Sequence, residues 1–96
     1  DHNKIQSSQF VKKIIDLKNL KTKIKSFGWH VERCDGHNFR RLNKVFNNFS
    51  KIKNKPKLLI ANTIKGKGVS FMENNPEWHH KKIDDQTINK FFLESK

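Results

Sequence analysis

The sequence predicts an α/β fold in which a partial parallel sheet, with helices on its faces, forms three layers. Runs of strand length alternate along the 96 residues with segments of helical apolar spacing. The predicted order is strand, helix, strand, helix, strand, loop and helix. Right-handed crossovers between parallel strands are the natural solution for that order. Ligands in such sheets bind at the carboxyl ends of the strands.

The first half of the chain contributes a strand end, a helix and a second strand. Residues 1–8 are expected to be the end of a strand that runs into a loop. Asp16 is expected to cap a helix that ends at Gly28 and exposes its lysines on the face opposite its apolar side chains. Residues 29–34 alternate as in a short strand, and residues 35–37 form a turn after it.

The second half begins with a helix that Asn38 is expected to cap. The apolar face of that helix consists of Phe39, Leu42, Val45, Phe46 and Phe49. After Pro56, the continuous apolar run of residues 58–61 predicts a parallel strand that is covered on both faces. Asp84 is expected to cap a last helix. The apolar side chains of that last helix are Ile88, Phe91 and Phe92.

Residues 65–68, with the sequence KGKG, form a basic loop after the third strand. Its glycines permit positive φ, and its lysines supply point charges suited to phosphate oxygens. The loop has neither the Walker A nor the dinucleotide spacing, so a solvated basic turn is the alternative interpretation. Residues 3–6 and 35–37 are predicted to lie at the same edge of the sheet. That convergence favours a site for a phosphorylated ligand.

Composition limits the class of protein. The hydrophobic share of 33% is low for a self-sufficient domain, so the core is expected to be completed by other chain. The net charge of +12 comes from lysines spread over the whole length, which argues against a nucleic-acid partner. No signal peptide or membrane-length apolar run is present, and a cytoplasmic protein is expected. Because the sequence begins at Asp1 without methionine, a fragment or processed piece is expected.

The single cysteine, Cys34, rules out an internal disulfide and suits a reducing compartment. Together with His30 and His37 it forms a cluster that merits comparison with zinc sites. Strand geometry puts His30 and Cys34 on one face but provides no fourth ligand, so a zinc site is not predicted.

Four segments together resemble the thiamine-diphosphate domain of transketolases. They are FGWHVERCDGH at residues 27–37, ANTIKGKGVSFMEN at 61–74, EWH at 77–79 and DHNKIQ at 1–6. They follow the family's order and cover nearly the whole chain, which identifies residues 1–96 as the C-terminal portion of such a domain. The resemblance is closest to transketolases built from separate N-terminal and C-terminal subunits.

The resemblance implies a set of site residues. Asn3 matches the family's asparagine ligand of a divalent ion, Mg²⁺ or Ca²⁺, and Ile5 matches the residue that offers its backbone carbonyl. Lys65 matches a basic position near thiamine diphosphate. His79 matches a histidine close to the diphosphate and the reacting carbon, and is therefore both the cofactor-binding and the catalytic candidate. Lys67 and His30 are weaker candidates.

The implied activity is transfer of a two-carbon ketol unit from a ketose phosphate to an aldose acceptor. A further metal ligand is expected upstream of Asp1, and the pyrimidine-binding domain is expected downstream or on a C-terminal subunit, in a homodimer or heterotetramer. The isolated chain is therefore predicted to be inactive. His80 stands where the family has glycine after its key histidine, which is a departure from the pattern. The alternatives are a deoxyxylulose-phosphate-synthase-like enzyme, a basic nucleic-acid-binding module and an inactive subunit.

Overall fold

A short parallel sheet forms the centre of the structure, a computed structural model that describes residues 1–95. Strands β3 and β4 pair in parallel, with Val31 beside Leu58 at one end and Asp35 beside Asn62 at the other. His2 makes an isolated parallel bridge to Asn62. The sheet therefore ends, at its carboxyl edge, in three neighbouring passages of the chain.

The elements follow one another in the predicted order, with a hairpin and a short helix inserted near the start. The N-terminal half contains β1 (Ile5–Gln6), β2 (Gln9–Phe10), α1 (Val11–Ile14), α2 (Leu20–Ser26) and β3 (His30–Asp35). The C-terminal half contains α3 (Phe39–Lys51), β4 (Lys57–Asn62), a 3₁₀ turn (Pro76–His79) and α4 (Asp85–Glu94). The α/β prediction with flanking helices is confirmed.

Two of the three predicted helix caps are those in the structure. The Asn38 side chain accepts a hydrogen bond from the Arg41 amide at 3.0 Å and begins α3. Asp84 accepts from the Thr87 amide at 2.8 Å and begins α4. In both cases the cap oxygen satisfies one of the amides that the first turn leaves without a partner.

The predicted cap of the first helix is wrong by one turn. Asp16 accepts from the Lys18 amide at 2.9 Å in a local turn, and Lys18 has a φ of 52°, which interrupts helical geometry. Asn19 is the cap instead, and α2 begins at Leu20. The predicted end at Gly28 is correct, since Gly28 has a φ of 88° and donates its amide to the Lys25 carbonyl.

Helix α3 lies on the sheet face that carries His30 and Glu32. The His30 and Phe49 rings meet edge to face at 5.8 Å, and the Asn48 amide donates to the Glu32 carboxylate. The connections from His2 to β3 and from β3 to β4 cross the sheet in opposite directions. The preference for right-handed crossovers predicts that α2 and α3 lie on opposite faces, as three layers require.

The core of the described residues is small. Val31, Val45 and Ile60 are the buried apolar side chains, whereas Leu58 and Leu59 are only half-buried. The prediction that β4 is covered on both faces therefore does not hold within residues 1–95. The radius of gyration is 17.0 Å, compared with roughly 12 Å expected for a compact domain of this length.

Large apolar side chains remain exposed on the surface of the structure. Phe39 is 85% exposed, and Phe27 is 77% exposed. Exposure of this extent costs the stabilisation of about 1.5–3 kcal/mol that burial of such a side chain normally provides. The structure thus fits the expectation that other chain completes the core. Among residues 1–95, no helix is long and apolar enough to span a bilayer.

Candidate functional site

A cleft of about 650 Å³ opens at the carboxyl edge of the parallel sheet. It is built from the N-terminal segment, the turn after β3, the end of β4 and the loop before the 3₁₀ turn. Its lining consists of His2, Asn3, Lys4, Asp35, His37, Asn62, Thr63, Ile64, Glu73 and Asn74. The cleft occupies the place where open α/β sheets bind their ligands.

The N-terminal segment reaches this cleft because its backbone joins the sheet. The His2 amide donates to the Ala61 carbonyl at 2.8 Å, and the Thr63 hydroxyl donates to the Asp1 carboxylate. Lys4 then adopts a left-handed φ of 66°, which turns the chain away from the sheet and into the β1–β2 hairpin. Asn3 is therefore held at the rim, half-buried, as the last residue before the turn.

Asn3 presents its side-chain oxygen in a defined position. That oxygen accepts a hydrogen bond from the Ile5 amide at 2.9 Å. A carbonyl oxygen has two lone pairs, so one remains for a cation. The Asn3 side chain thus has both the chemistry and the local order of a ligand for a hard divalent ion.

The backbone carbonyl of Ile5 is directed away from its partner strand. The Val11 amide donates to the Lys4 carbonyl at 2.8 Å, so Lys4 and Val11 form a hydrogen-bonded pair in the hairpin. Hydrogen-bonded and non-bonded pairs alternate in an antiparallel ladder, which makes Ile5 and Phe10 the non-bonded pair. Ile5 does not line the cleft itself. Its carbonyl is nevertheless left unused by the hairpin.

Residues 1–95 contain no group of three or more His, Cys, Asp or Glu side chains arranged to hold a metal. The donors at the cleft are instead oxygen atoms of mixed type. Mg²⁺ is usually bound through one or two carboxylates together with waters and substrate phosphates, rather than by an all-protein cage. The oxygen donors of the N-terminal segment, Asn3 and Ile5, can therefore form part of the coordination shell of an Mg²⁺ ion that also binds phosphate and water.

The loop after β4 is folded back on itself by Glu73. The Glu73 carboxylate accepts from the Gly68 amide at 3.1 Å and pairs with the Lys67 ammonium at 3.5 Å. The Gly68 hydrogen bond, followed by the attraction of Lys67, lowers the pKa of Glu73 below its ordinary value. Lys67 is thus engaged within the loop. Within residues 1–95, Lys65 has no such ion pair and is half-buried.

Lys65 and His79 lie outside the lining of the cleft. Lys65 directly follows Ile64, which lines the cleft. The Lys65 carbonyl accepts from the Asn74 amide at 2.8 Å, and this hydrogen bond joins the two ends of the loop after β4. His79 ends the 3₁₀ turn, which the Asn75 side chain caps. The His79 ring is exposed and meets the His80 ring edge to face at 4.4 Å. Of the four predicted site residues, only Asn3 lines the cleft.

The segment that carries His79 is anchored by Trp78. The Trp78 indole donates to the Phe71 carbonyl at 3.1 Å, and its ring lies 5.5 Å from the Phe71 ring. The Lys81 ammonium sits 4.7 Å above the indole. These contacts attach the 3₁₀ turn to the end of the loop and leave His79 free on the outer side.

His37 is the main residue of the cleft that the prediction of site residues missed. Its Nε2 accepts a hydrogen bond from the Ile64 amide at 2.7 Å. An accepting Nε2 requires the proton of the neutral ring to be on Nδ1. The Asp35 carboxylate holds the same turn by accepting from the His37 amide at 2.9 Å. The sequence offers a signal that could have identified His37, because the motif DGH directly follows a predicted strand.

Gly36 allows the turn after β3 to approach β4. Its amide donates to the Asn62 carbonyl at 2.7 Å. A Cβ at this position would lie 2.5 Å from Cγ2 of Thr63 and 3.1 Å from the Asn62 carbonyl oxygen. The close approach brings His37 within reach of the β4 loop, and it depends on the absence of a side chain.

Comparison with known proteins places this architecture in a family. Residues 1–92 match the family model described as the transketolase thiamine diphosphate binding domain. The chain is 36% identical over 86 residues to the 6-deoxy-6-sulfo-D-fructose transketolase subunit SqwG of Clostridium sp. (strain MSTE9), covering 90% of this chain and 31% of the relative.

Two further relatives extend the comparison. An apulose-4-phosphate transketolase subunit from Actinobacillus succinogenes is 41% identical over 81 residues, covering 84% of this chain and 29% of the relative. Human transketolase is 38% identical over 58 residues, covering 60% of this chain and 9% of the relative. The chain thus spans about three tenths of the length of the first two relatives. The match over residues 1–92 confirms the resemblance found in the motifs, and the chain belongs to the transketolase family through its thiamine-diphosphate-binding domain.

Proposed function

We propose that residues 1–96 are the C-terminal portion of the thiamine-diphosphate-binding domain of an enzyme that transfers a two-carbon ketol unit between sugars. The observation that carries this proposal is the meeting of Asn3, Asp35 and His37 at the carboxyl edge of the sheet, in one cleft. Thiamine diphosphate, when bound, supplies the carbanion that accepts the two-carbon unit from a ketose phosphate. The chain's own residues bind the cofactor and orient it.

Asn3 and Ile5 are proposed to supply two oxygen ligands to Mg²⁺ or Ca²⁺. The ordered Asn3 side chain and the unused Ile5 carbonyl support this assignment, since both belong to one turn. The remaining ligands come from the diphosphate and from chain beyond these residues. A divalent ion shared in this way couples metal binding to cofactor binding.

Lys65 and His79 are proposed to act on the cofactor, Lys65 as a point charge near the diphosphate and His79 as the proton-transfer group near the reacting carbon. Among the described residues Lys65 forms no ion pair, in contrast to Lys67, and this supports the first role. The exposure of His79 on a capped 3₁₀ turn supports the second, because an imidazole that a ligand can reach is a suitable general acid or base.

The proposed partner is a pyrimidine-binding domain, fused to this chain or on a C-terminal subunit, in a cytoplasmic homodimer or heterotetramer that acts on sugar phosphates. The exposed apolar side chains and the radius of gyration of 17.0 Å support a requirement for more chain around this one. Two of the relatives are named as subunits of transketolases. We expect the isolated 96 residues to show no turnover.

Calorimetric titration of thiamine diphosphate with Mg²⁺ into the assembled protein tests the metal assignment. We expect Asn3→Ala to weaken binding at least tenfold and to abolish its dependence on Mg²⁺. Lys23→Ala, on the exposed face of α2, is the matched control and is expected to leave binding within twofold. Equal effects of the two substitutions would contradict the cofactor site and favour general attraction to a basic protein.

A ketol-transfer assay tests the role of His79. We expect His79→Ala to lower kcat at least a hundredfold with little change in cofactor affinity, because general acid–base catalysis typically contributes that much. The adjacent His80→Ala is the control, since both rings are exposed on the same turn. Unchanged kcat in the His79 variant would remove that residue from the mechanism. Condensation of pyruvate with an aldose phosphate, without ketol transfer, would instead identify a deoxyxylulose-phosphate-synthase-like enzyme.

A further inference from the structure

A second cleft, of about 620 Å³, lies on the other side of β3 from β4, between the free edge of that strand and helix α3. Its lining consists of Glu32, Arg33, Cys34, Arg40, Arg41, Asn43, Lys44, Val45, Asn47, Asn48 and Lys51. None of these residues lines the cleft at the carboxyl edge. The two clefts share no lining residue, but Arg33 of the second cleft donates a hydrogen bond at 3.1 Å to the side-chain oxygen of Asn62, which lines the first.

The arginines of the chain converge on this second cleft. The chain contains arginine at only three positions, 33, 40 and 41, against a large excess of lysine, and all three line the cleft. A general lysine bias does not explain that convergence. Arginine has the planar, forked geometry that binds carboxylates through two parallel hydrogen bonds.

The charge of the cleft is not balanced by the chain itself. Lys44 and Lys51 add to the arginines, and none of these five cations forms an ion pair within residues 1–95. Glu32 is the one carboxylate in the lining, and it already accepts from His30 and Asn48. An incoming anion thus meets five positive side chains, of which Arg33 also donates to the Asn62 side-chain oxygen at 3.1 Å, and one occupied acceptor.

Arg40 and Arg41 lie at the N-terminal end of α3, where the helix dipole disfavours positive charge. They occupy the second and third positions of α3, whose first turn contains no acidic residue. The helix dipole places partial positive charge at this end, so two cations here are electrostatically unfavourable. A bound carboxylate relieves that repulsion.

The backbone of β3 adds hydrogen-bonding groups to the same cleft. The amides of His30 and Gly36 donate to carbonyls of the β4 segment, so the even-numbered residues of β3 face β4. By the alternation of a strand, Val31 and Arg33 direct their amides and carbonyls to the free edge, whereas the Asp35 carbonyl accepts from the Asn38 amide at 3.3 Å. This edge has no partner strand among the described residues.

We propose that the cleft between the free edge of β3 and helix α3 binds an extended acidic segment of a partner protein. The segment adds a strand beside β3, and its carboxylates pair with Arg40, Arg41 and Lys44. Main-chain hydrogen bonds supply affinity in this mode of recognition, and alternate side chains supply specificity. The combination of an unpaired strand edge with concentrated positive charge favours an acidic peptide over a nucleic acid, which has no peptide backbone to pair with a strand.

Fluorescence anisotropy with a labelled six-residue peptide of alternating glutamate and valine tests the proposal, using the assembled protein at 0.15 M salt. We expect the double substitution R40Q/R41Q to weaken binding at least tenfold. The control is K23Q/K25Q, which removes the same charge from exposed positions of α2 and is expected to change affinity less than twofold. The peptide N-methylated at every residue, which has no N–H group left to donate to a strand from either edge, is expected to bind at least fivefold more weakly.

Four results would overturn the proposal. Equal losses in the two double variants would show a general attraction to a chain of net charge +12. Undiminished binding of the N-methylated peptide would exclude strand pairing. Equal or tighter binding of single-stranded DNA with the same dependence on Arg40 and Arg41 would make the cleft a nucleic-acid surface. Absence of saturable binding would leave the cations only the role of keeping a strand edge soluble.

Discussion

Gly66 provides the sharpest test of the loop that follows β4. Its φ of 76° is left-handed, and a Cβ built there would lie 2.6 Å from the Met72 carbonyl oxygen and 2.7 Å from the Met72 carbonyl carbon. Gly68 has a φ of 99° in the same loop, but a Cβ there would meet nothing within 4 Å. The two glycines therefore separate conformational strain from a steric clash with backbone.

The expected magnitudes differ accordingly. Gly68→Ala costs the left-handed backbone term alone, about 1–2 kcal/mol. Gly66→Ala adds the displacement of the Met72 backbone, for which overpacking costs of about 1–3 kcal/mol apply, so the sum is roughly 2–5 kcal/mol. Because backbone cannot rotate aside as a flexible side chain does, the clash breaks the return of the loop from Lys65 to Asn74.

Hydrogen exchange followed by mass spectrometry measures this difference directly. In the assembled protein, Gly66→Ala is expected to raise exchange throughout residues 64–75 by at least about fivefold more than Gly68→Ala does, since the additional cost is ~1–3 kcal/mol and each ~1.4 kcal/mol of local opening is about a factor of ten. Residues of α3 serve as an internal reference and are expected to exchange as in the wild type. Equal effects of the two substitutions would refute the steric argument.

Three further predictions concern single side chains. The pKa of the Glu73 carboxyl is lowered from 4.5, so the ionised carboxylate stabilises the loop fully above that pH. This stabilisation is lost as the pH falls below 4.5 through the lowered pKa. Hydrogen exchange of the loop amides as a function of pH measures the loss, and Glu73→Gln is expected to remove the pH dependence. Nitrogen NMR at pH 8 is expected to find His37 protonated on Nδ1, with Nε2 accepting from Ile64; a protonated Nε2 would contradict the hydrogen bond. Asn38→Ala is expected to cost about 1 kcal/mol in urea unfolding through loss of the α3 cap, whereas the exposed Asn43→Ala is expected to cost less than half of that.

The exposed apolar side chains connect the fold to the proposed assembly. Phe39 and Phe46 are seven residues apart on α3 and are 85% and 57% exposed. The sequence predicted both as part of an apolar helix face, and within residues 1–95 no packing surface covers them. An interface that buries them would contribute about 25 cal/mol for each Å² of apolar area removed from water. The exposed face of α3 that carries Phe39 and Phe46 is thus where we expect other chain to complete the core.

Only part of the candidate site could be anticipated from sequence. Asn3 lies in the cleft as expected, because a polar segment next to a strand end must emerge at the edge of the sheet. Lys65 and His79 were named through the family resemblance, and whether they reach a bound cofactor stays a prediction. His37 was visible only as part of a turn, since nothing in a linear pattern states that its ring will accept from the amide of Ile64.

The sequence by itself determined the order of strands and helices, the caps at Asn38 and Asp84, the glycine turn at Gly28 and the family, because each is written in local spacing or in a contiguous motif. Only the tertiary structure decided which side chains meet. Glu73 pairs with Lys67, and the arginines converge on the cleft between β3 and α3. Those contacts depend on strand register and on the hand of the crossovers, which are set by packing of the whole sheet and not by neighbouring residues.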